Sequence, residues 1–162
     1  MKSTVVLVPD KVKKLIQKEQ ILVVGSSDKT GISNVSPRTT YYLGTDGSIY
    51  WLELFKHKTY RNFQKNPWCS VAVFDKKRLV GYQLKGKATI VTDKKSKNEI
   101  VIKIVDKLTR LHRQRILKQN KKPNLVKFTP SIVYSLNPNE LTDSPLVLDA
   151  TDESLNNANM QW

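Results

Sequence analysis

A lysine and a hydroxyl stand side by side at His57-Lys58-Thr59, where an apolar stretch, YWLELF, gives way to the helical pattern TYRNFQK and then to Asn66-Pro67. A strand that hands over to a helix at this point makes an anion seat. The first backbone N–H groups of the helix, its dipole and the Lys58 ammonium would all act on one negative charge, and the Thr59 hydroxyl would add a donor. The chemistry this implies is the holding of a phosphate. Taken alone, Lys58 reads more readily as a solvated lysine, His57 as a helix cap or a solvent-facing side chain, Arg38 as the partner of a surface carboxylate and Trp51 as a core side chain. Glu53 is the odd residue of its strand, either facing a groove or paired with a lysine.

The rest of the chain offers no rival apparatus. It contains no Walker loop, GxGxxG, GxSxG, HExxH or CxxC, and its acids form no paired-carboxylate signature. Two histidines and the single Cys69 are too few for a zinc site or a disulfide framework, and Cys69 reads as a small buried filler. A bound cofactor that carries its own reactivity accounts for a protein with no catalytic set of its own, and no catalytic residue is assigned.

These residues need elements to position them. The 162 residues suit one domain, and 39% hydrophobic content is enough for one core. No apolar run approaches the roughly 20 residues that span a bilayer. Pro9 and Asp10 follow the short apolar start at once, so no signal peptide is expected; with the lone cysteine this points to the cytoplasm. Residues 9–20 predict a helix with Val12, Leu15 and Ile16 on one face. Strands are predicted over 21–28, 32–43, 48–55, 68–75, 80–91 and 125–136. Pro37 marks an edge position in the second, and Asp46-Gly47 a hairpin before the third. Gly86 interrupts the apolar face of the fifth, where a bend or close neighbour is expected, and Pro130 breaks the last. From Asp93, as N-cap, to about Asn120 the pattern predicts one long helix. Its apolar stripe is Ile100, Val101, Ile104, Val105, Leu108 and Leu111, and its basic stripe is Lys103, Lys107, Arg110, Lys118 and Lys121. Six short strands with few helices predict an antiparallel barrel rather than a parallel α/β sheet.

Charge is divided along the chain. The 28 Lys and Arg all lie at or before Lys127 against nine acids, a surplus of +19; Glu140, Asp143, Asp149, Asp152 and Glu153 then make an acidic tail of −5. The expected organisation is a body, residues 1–138, and an acidic arm or tail, 139–162. A body this basic expects an anionic partner, and a non-enzymatic polyanion- or nucleic-acid-binding module built on the basic helix is the competing class. No aromatic interleaves that stripe and no nucleic-acid motif is present.

The segment NVSPR at 34–38, the Asp-Gly hairpin, SIYWLEL, HKTYRNFQKNP, SVAVF and LVGYQLKGKATIV together resemble the FMN-binding split β-barrel proteins, the pyridoxamine 5′-phosphate oxidase-like family. The match runs from about Lys11 to Val91, and more loosely to Pro138. The resemblance implies a mainly β (α+β) fold, a six-stranded antiparallel split β-barrel with flanking helices, and a homodimer with FMN between the subunits. It implies that Lys58 and Thr59 bind the phosphate, assisted by Arg38 or Thr39. It places Ser36 and Pro37 near the ring, the backbone of Glu53, Leu54 and Phe55 at the isoalloxazine edge, and Gln83 from the partner subunit. The activity it implies is transfer of hydride or electrons through FMN to or from a small molecule. Relatives of this fold use a deazaflavin or haem instead; a haem would need His112 or His57 as axial ligand. Arg110-Leu111-His112-Arg113 is similar to a C-terminal signature of true pyridoxamine 5′-phosphate oxidases. Here it falls inside a helical pattern, lacks the Trp-Gln-Gly before it and has Arg113 for aspartate, so it reads as chance and vitamin B6 oxidation is not expected.

Overall fold

The computed structural model describes residues 6–118, 123–140, 144–149 and 155. Eight strands form one antiparallel sheet in the order β2-β1-β5-β6-β7-β4-β3, with β8 beside β7. They are β1 Leu22–Ser27, β2 Ser33–Arg38, β3 Tyr41–Leu43, β4 Ile49–Glu53, β5 Trp68–Asp75, β6 Val80–Ile90, β7 Asn124–Ser135 and β8 Val147–Leu148. The sheet curls into a half-barrel, a split β-barrel with flanking helices. Helices α1 (Asp10–Glu19) and α2 (Lys58–Lys65) cover its interior. Val12, Leu15 and Ile16 of α1, and Tyr60 and Phe63 of α2, join the alternate strand residues Val24, Trp51, Val71, Leu84 and Phe128 in one core.

The second predicted strand is two. Among the described residues β2 pairs only with β1 and β3 only with β4, and Thr39-Thr40 bends between them. The two strands at the ends of the sheet path are therefore joined by this corner, which is where the barrel is split. Pro37 sits on edge strand β2, opposite Val23, where its missing N–H costs no ladder bond. The Asp-Gly hairpin forms as expected. Gly47 adopts φ 82°, and the Asp46 carboxylate accepts from Ser48 N at 3.0 Å.

Gly86 and Pro130 explain each other. Register shifts between Lys85 and Gly86, with Lys85 opposite Ile132 and Gly86 opposite Pro130, so β7 bulges at Ser131. A Cβ on Gly86 would collide with Thr129 O and lie 2.8 Å from Pro130 Cα; only glycine lets the two backbones approach this closely.

The long basic helix is not continuous. It divides into α3, Lys94–Asp106, and α4, Arg110–Lys118. Asp93 caps α3 as expected, accepting from Ser96 N at 2.8 Å. At the break, Lys107 N and Leu108 N bond three residues back, to Ile104 O and Val105 O, which tightens the last turn. Thr109 then opens α4 by accepting from His112 N through its hydroxyl at 3.4 Å. The apolar stripe is correspondingly reduced: Ile104 alone of its six residues is buried, and Leu111 is 58% exposed. Asn120 and Lys121, at the predicted helix end, lie outside the described residues.

Much of the acidic arm also lies outside them. Its described part adds β8 to β7, with Val147 opposite Val133, and Leu155 packs with Ile132, Tyr134 and Trp68 on the outer face of the sheet.

Candidate functional site

Along β2 the side chains of Asn34, Ser36 and Arg38 share one face, because strand residues alternate. That face meets the first turn of α2, and the contacts form one continuous chain of hydrogen bonds. Asn34 Nδ2 donates to Thr59 Oγ1 at 2.9 Å. The hydroxyls of Thr59 and Ser36 are bonded to each other at 2.9 Å. Arg38 Nη1 donates to Ser36 Oγ at 3.0 Å and to Pro37 O at 2.9 Å. Arg38 Nη2 donates to Glu53 Oε1, which also accepts from Trp51 Nε1 at 3.0 Å. The Arg38 guanidinium lies 5.9 Å from the centre of the Trp51 ring. Glu53 is buried at 8% exposure and Thr59 at 4%.

The odd strand acid thus pairs with Arg38, neither with a lysine nor facing a groove unpaired, and Arg38 finds a buried rather than a surface carboxylate. Two charges withdrawn from water are compensated by each other and by the neutral donors around them. Arg38 Nε remains buried with no hydrogen-bond partner.

A proton count on this chain identifies a vacant donor. In these contacts Asn34, through Nδ2, and Arg38, through Nη1, are the donors. The two hydroxyls carry two protons and use one between them. One proton of the Ser36–Thr59 pair is therefore left to donate to an acceptor that none of the described residues provides.

The helix start beside it has the same character. His57 precedes α2 in an extended conformation (φ −79°, ψ −169°), and no side chain caps the helix. The first N–H groups of α2 consequently lack the partner that Ser, Thr, Asp or Asn would supply. His57 and Lys58 are exposed there, with the His57 ring 5.2 Å from that of Phe55 and the Lys56 ammonium 5.9 Å from the Tyr60 ring. Lys58 makes no ion pair among the described residues.

On the other side of Arg38 a cleft of about 280 Å3 opens. Pro37, Arg38 and Thr39 form one wall, Leu52 and Leu54 of the β4 region another, and Leu108, His112 and Ile116 of the α3–α4 junction a third. His112, which the sequence offers both within a chance resemblance and, with His57, as a haem ligand, therefore stands at this cleft. Its Nδ1 lies 3.2 Å from Thr109 Oγ1. The signal that could have found it was Thr109, a helix-capping residue inside the predicted long helix; the break it makes turns α4 towards β2.

Of the ten predicted site residues, Ser36, Arg38, Glu53 and Thr59 share the hydrogen-bond chain, and Pro37, Arg38, Thr39 and Leu54 line the cleft. Phe55 and Lys58 are exposed at the entry to α2. Gln83 is not brought to them. It sits on β6, opposite Ala72, on the outer face of the sheet and separated from β2 by β5 and β1. Cys69 is buried in the core as expected, and burial pushes its thiol up to about 11. Among the described residues no group of three His, Cys, Asp or Glu side chains could hold a metal ion, and no helix is long and apolar enough to cross a membrane.

An antiparallel half-barrel with its polar cluster at the β2–α2 contact defines a split β-barrel protein. The sequence profile of pyridoxamine 5′-phosphate oxidase matches residues 8–137, and the chain belongs to that family. Solved structures agree in fold. HupZ from Group A Streptococcus superimposes with a TM-score of 0.62 at 19% identity, over 82% of this chain and 96% of that one. HutZ, the heme storage protein from Vibrio cholerae, gives 0.57 at 16% identity, over 76% and 91%. A Clostridium acetobutylicum protein related to general stress protein 26, of the pyridoxinephosphate oxidase family, gives 0.65 at 17% identity, over 86% and 93%. No curated protein sequence matches the chain.

Proposed function

We infer that the chain is an FMN-binding redox protein that holds its cofactor against β2, the end of β4 and the start of α2. The observation that carries this is the coincidence of donors at one place. A hydroxyl proton without an acceptor, the uncapped N–H groups of α2 and the exposed Lys58 all lie at the Thr59 turn, next to a cleft walled by Pro37, Arg38 and Leu54. A phosphate dianion matches such a set, while Arg38, already neutralised by Glu53, orients Ser36 rather than adding net charge. Bound FMN would supply hydride and electron transfer. The chain's part is to bind the phosphate, to fix the hydroxyl donors and to border the ring with Pro37 and Leu54.

The cleft of about 280 Å3 falls short of the roughly 300–1,000 Å3 of most ligand pockets, which supports a site completed by a second copy of the chain. The outer face of the sheet supports the same homodimer. Val35 is 67% exposed there and Val23 40%, and the cross-strand row of Val23 continues through Ala72 to Gln83, the residue expected from the partner.

Titration with FMN, followed by the flavin absorbance bands, tests the reading. We expect micromolar or tighter binding, and Lys58→Ala to weaken it at least about tenfold, since charge-assisted bonds are worth roughly 1.5–3 kcal/mol. A protein with no affinity for FMN at micromolar concentration refutes it.

A second reading, haem, is favoured by one observation: His112 lines the cleft and its Nδ1 is engaged by Thr109, which leaves Nε2 for a ligand. Likeness in fold to the heme storage protein HutZ points the same way. Haemin should then bind with a shifted Soret band that His112→Ala abolishes, whereas FMN affinity in that variant would be retained.

A further inference from the structure

Thr39 and Thr40, at the corner where the barrel is split, have a cavity on each side. One is the cleft with Arg38 and His112. The other, of about 500 Å3, lies between the end of α1, the corner and the start of the α3–α4 break, and is lined chiefly by Gln17, Gln20, Thr39, Thr40, Tyr42 and Lys107. No Asp or Glu lines it.

Two chemistries meet here, one in the lining and one at its edge, where Lys103 stands behind Tyr42. At one end two ammonium groups converge on one ring: Lys103 Nζ lies 5.0 Å and Lys107 Nζ 5.4 Å from the centre of Tyr42, and Lys103 also donates to Tyr42 Oη at 3.4 Å. The nearby acids are engaged elsewhere, Glu19 with Lys18 at 3.3 Å and Asp106 with Arg113 at 3.8 Å. Like charges gathered on a single ring with no carboxylate between them favour an anion, to which Tyr42 Oη–H is a further donor. At the other end the two glutamine amides and two threonine hydroxyls offer neutral donors and acceptors, the kind of partners a hydroxyl-rich molecule takes. Tyr41 is not part of this inventory, because its hydroxyl donates to Ile16 O.

We propose that this cavity binds a phosphorylated, hydroxyl-rich small molecule, a sugar phosphate or nucleotide, with its phosphate at Lys103, Lys107 and Tyr42 and its hydroxyls at Gln17, Gln20 and the threonine corner. Because Thr39 and Thr40 also wall the cofactor cleft, the cavity is positioned as a substrate subsite; that assignment of role, though not the site, rests on the cofactor reading above.

Isothermal titration of the full chain with ribose 5-phosphate, ribose and inorganic phosphate tests the site. Ribose 5-phosphate should bind saturably, at least tenfold tighter than either fragment. The double variant K103A/K107A should lose at least tenfold in that affinity and most of its salt dependence, and Tyr42→Phe should lose a few-fold. Circular dichroism verifies that the variants are folded. Failure of ribose 5-phosphate to saturate, or equal affinity in the double variant, overturns the proposal. FMN titrated into the same variants separates the two readings. Unchanged FMN affinity supports two distinct cavities, and a parallel loss of both ligands overturns them. Ribose 5-phosphate binding in a protein that takes no FMN supports the site while refuting the cofactor reading.

Discussion

Replacing Glu53 by glutamine removes one charge from the centre of the site and almost nothing else. The side chain keeps its volume and an oxygen for Trp51 Nε1, so neither a cavity nor a lost indole bond complicates the result. What remains is the Arg38 guanidinium, with its side chain 15% exposed and its carboxylate gone. Breaking a buried ion pair by deleting one partner costs about 3–5 kcal/mol, whereas an exposed pair is worth about 0–1 kcal/mol. The exposure of Arg38 puts the expectation at the lower end, about 3 kcal/mol. In a chain of this size each kcal/mol shifts the melting temperature by about 2–4 °C, so E53Q should melt about 6–12 °C lower. Urea denaturation at neutral pH gives the free energy directly, and the loss should change little between low and high salt because the pair is shielded from counterions. The double variant R38M/E53Q removes the stranded charge and should recover at least half of the loss, a coupling of about 1.5 kcal/mol or more. A loss below about 1 kcal/mol for E53Q, or strict additivity in the double variant, would refute the claim that this pair is a buried electrostatic unit.

Thr59→Val keeps the shape of the hub but strands Asn34 Nδ2 and leaves Ser36 Oγ with Arg38 alone, and should cost about 1–3 kcal/mol by urea denaturation; Thr59→Ser should recover most of it, and equal losses in the two would show that the methyl, not the hydroxyl, matters. Gly86→Ala drives a methyl into the Thr129–Pro130 backbone, which no rotamer change relieves, and should cost about 1–3 kcal/mol; a neutral effect in thermal melts would mean the bulge is plastic. The hydrogen bond from Lys18 at 2.6 Å, helped by the backbone N–H groups of Lys77 and Arg78, holds the Asp75 carboxyl below the usual carboxylate range. A depressed folded-state value contributes stability that is fully present above the ordinary aspartate range near pH 4 and is lost as pH falls from there through the lower folded-state value. Asp75→Asn should therefore be less stable than wild type at pH 7 and converge with it in acid, and a pH-independent difference across a denaturation series would refute this.

The local chemistry of the chain was legible in its residues. Alternation in Val80–Ile90, Asp-Gly at 46–47, Asp93 as a cap and Pro37 as an edge signal act over a few residues, so the sequence alone predicts the elements they make. The same holds for the helix start at Lys58, since an apolar strand followed by a helical period needs no distant partner. The division of residues 32–43 into β2 and β3 was not legible, because Thr39-Thr40 bends only when each half pairs with a different strand, β1 or β4. The break at Lys107–Thr109 was written in Thr109 yet outweighed by a helical period that runs through it. Most of the apolar stripe is only half-buried in the folded chain and Leu111 is exposed, because a period records amphipathicity but not what covers it. Tertiary structure alone decided that Arg38 meets Glu53, that Thr59 joins Ser36 and Asn34, that His112 reaches the cleft and that Lys103 and Lys107 converge on Tyr42. Each of these contacts joins residues on different elements, and the curl of the sheet and the packing of the helices against it, not the order of the residues, bring them within reach.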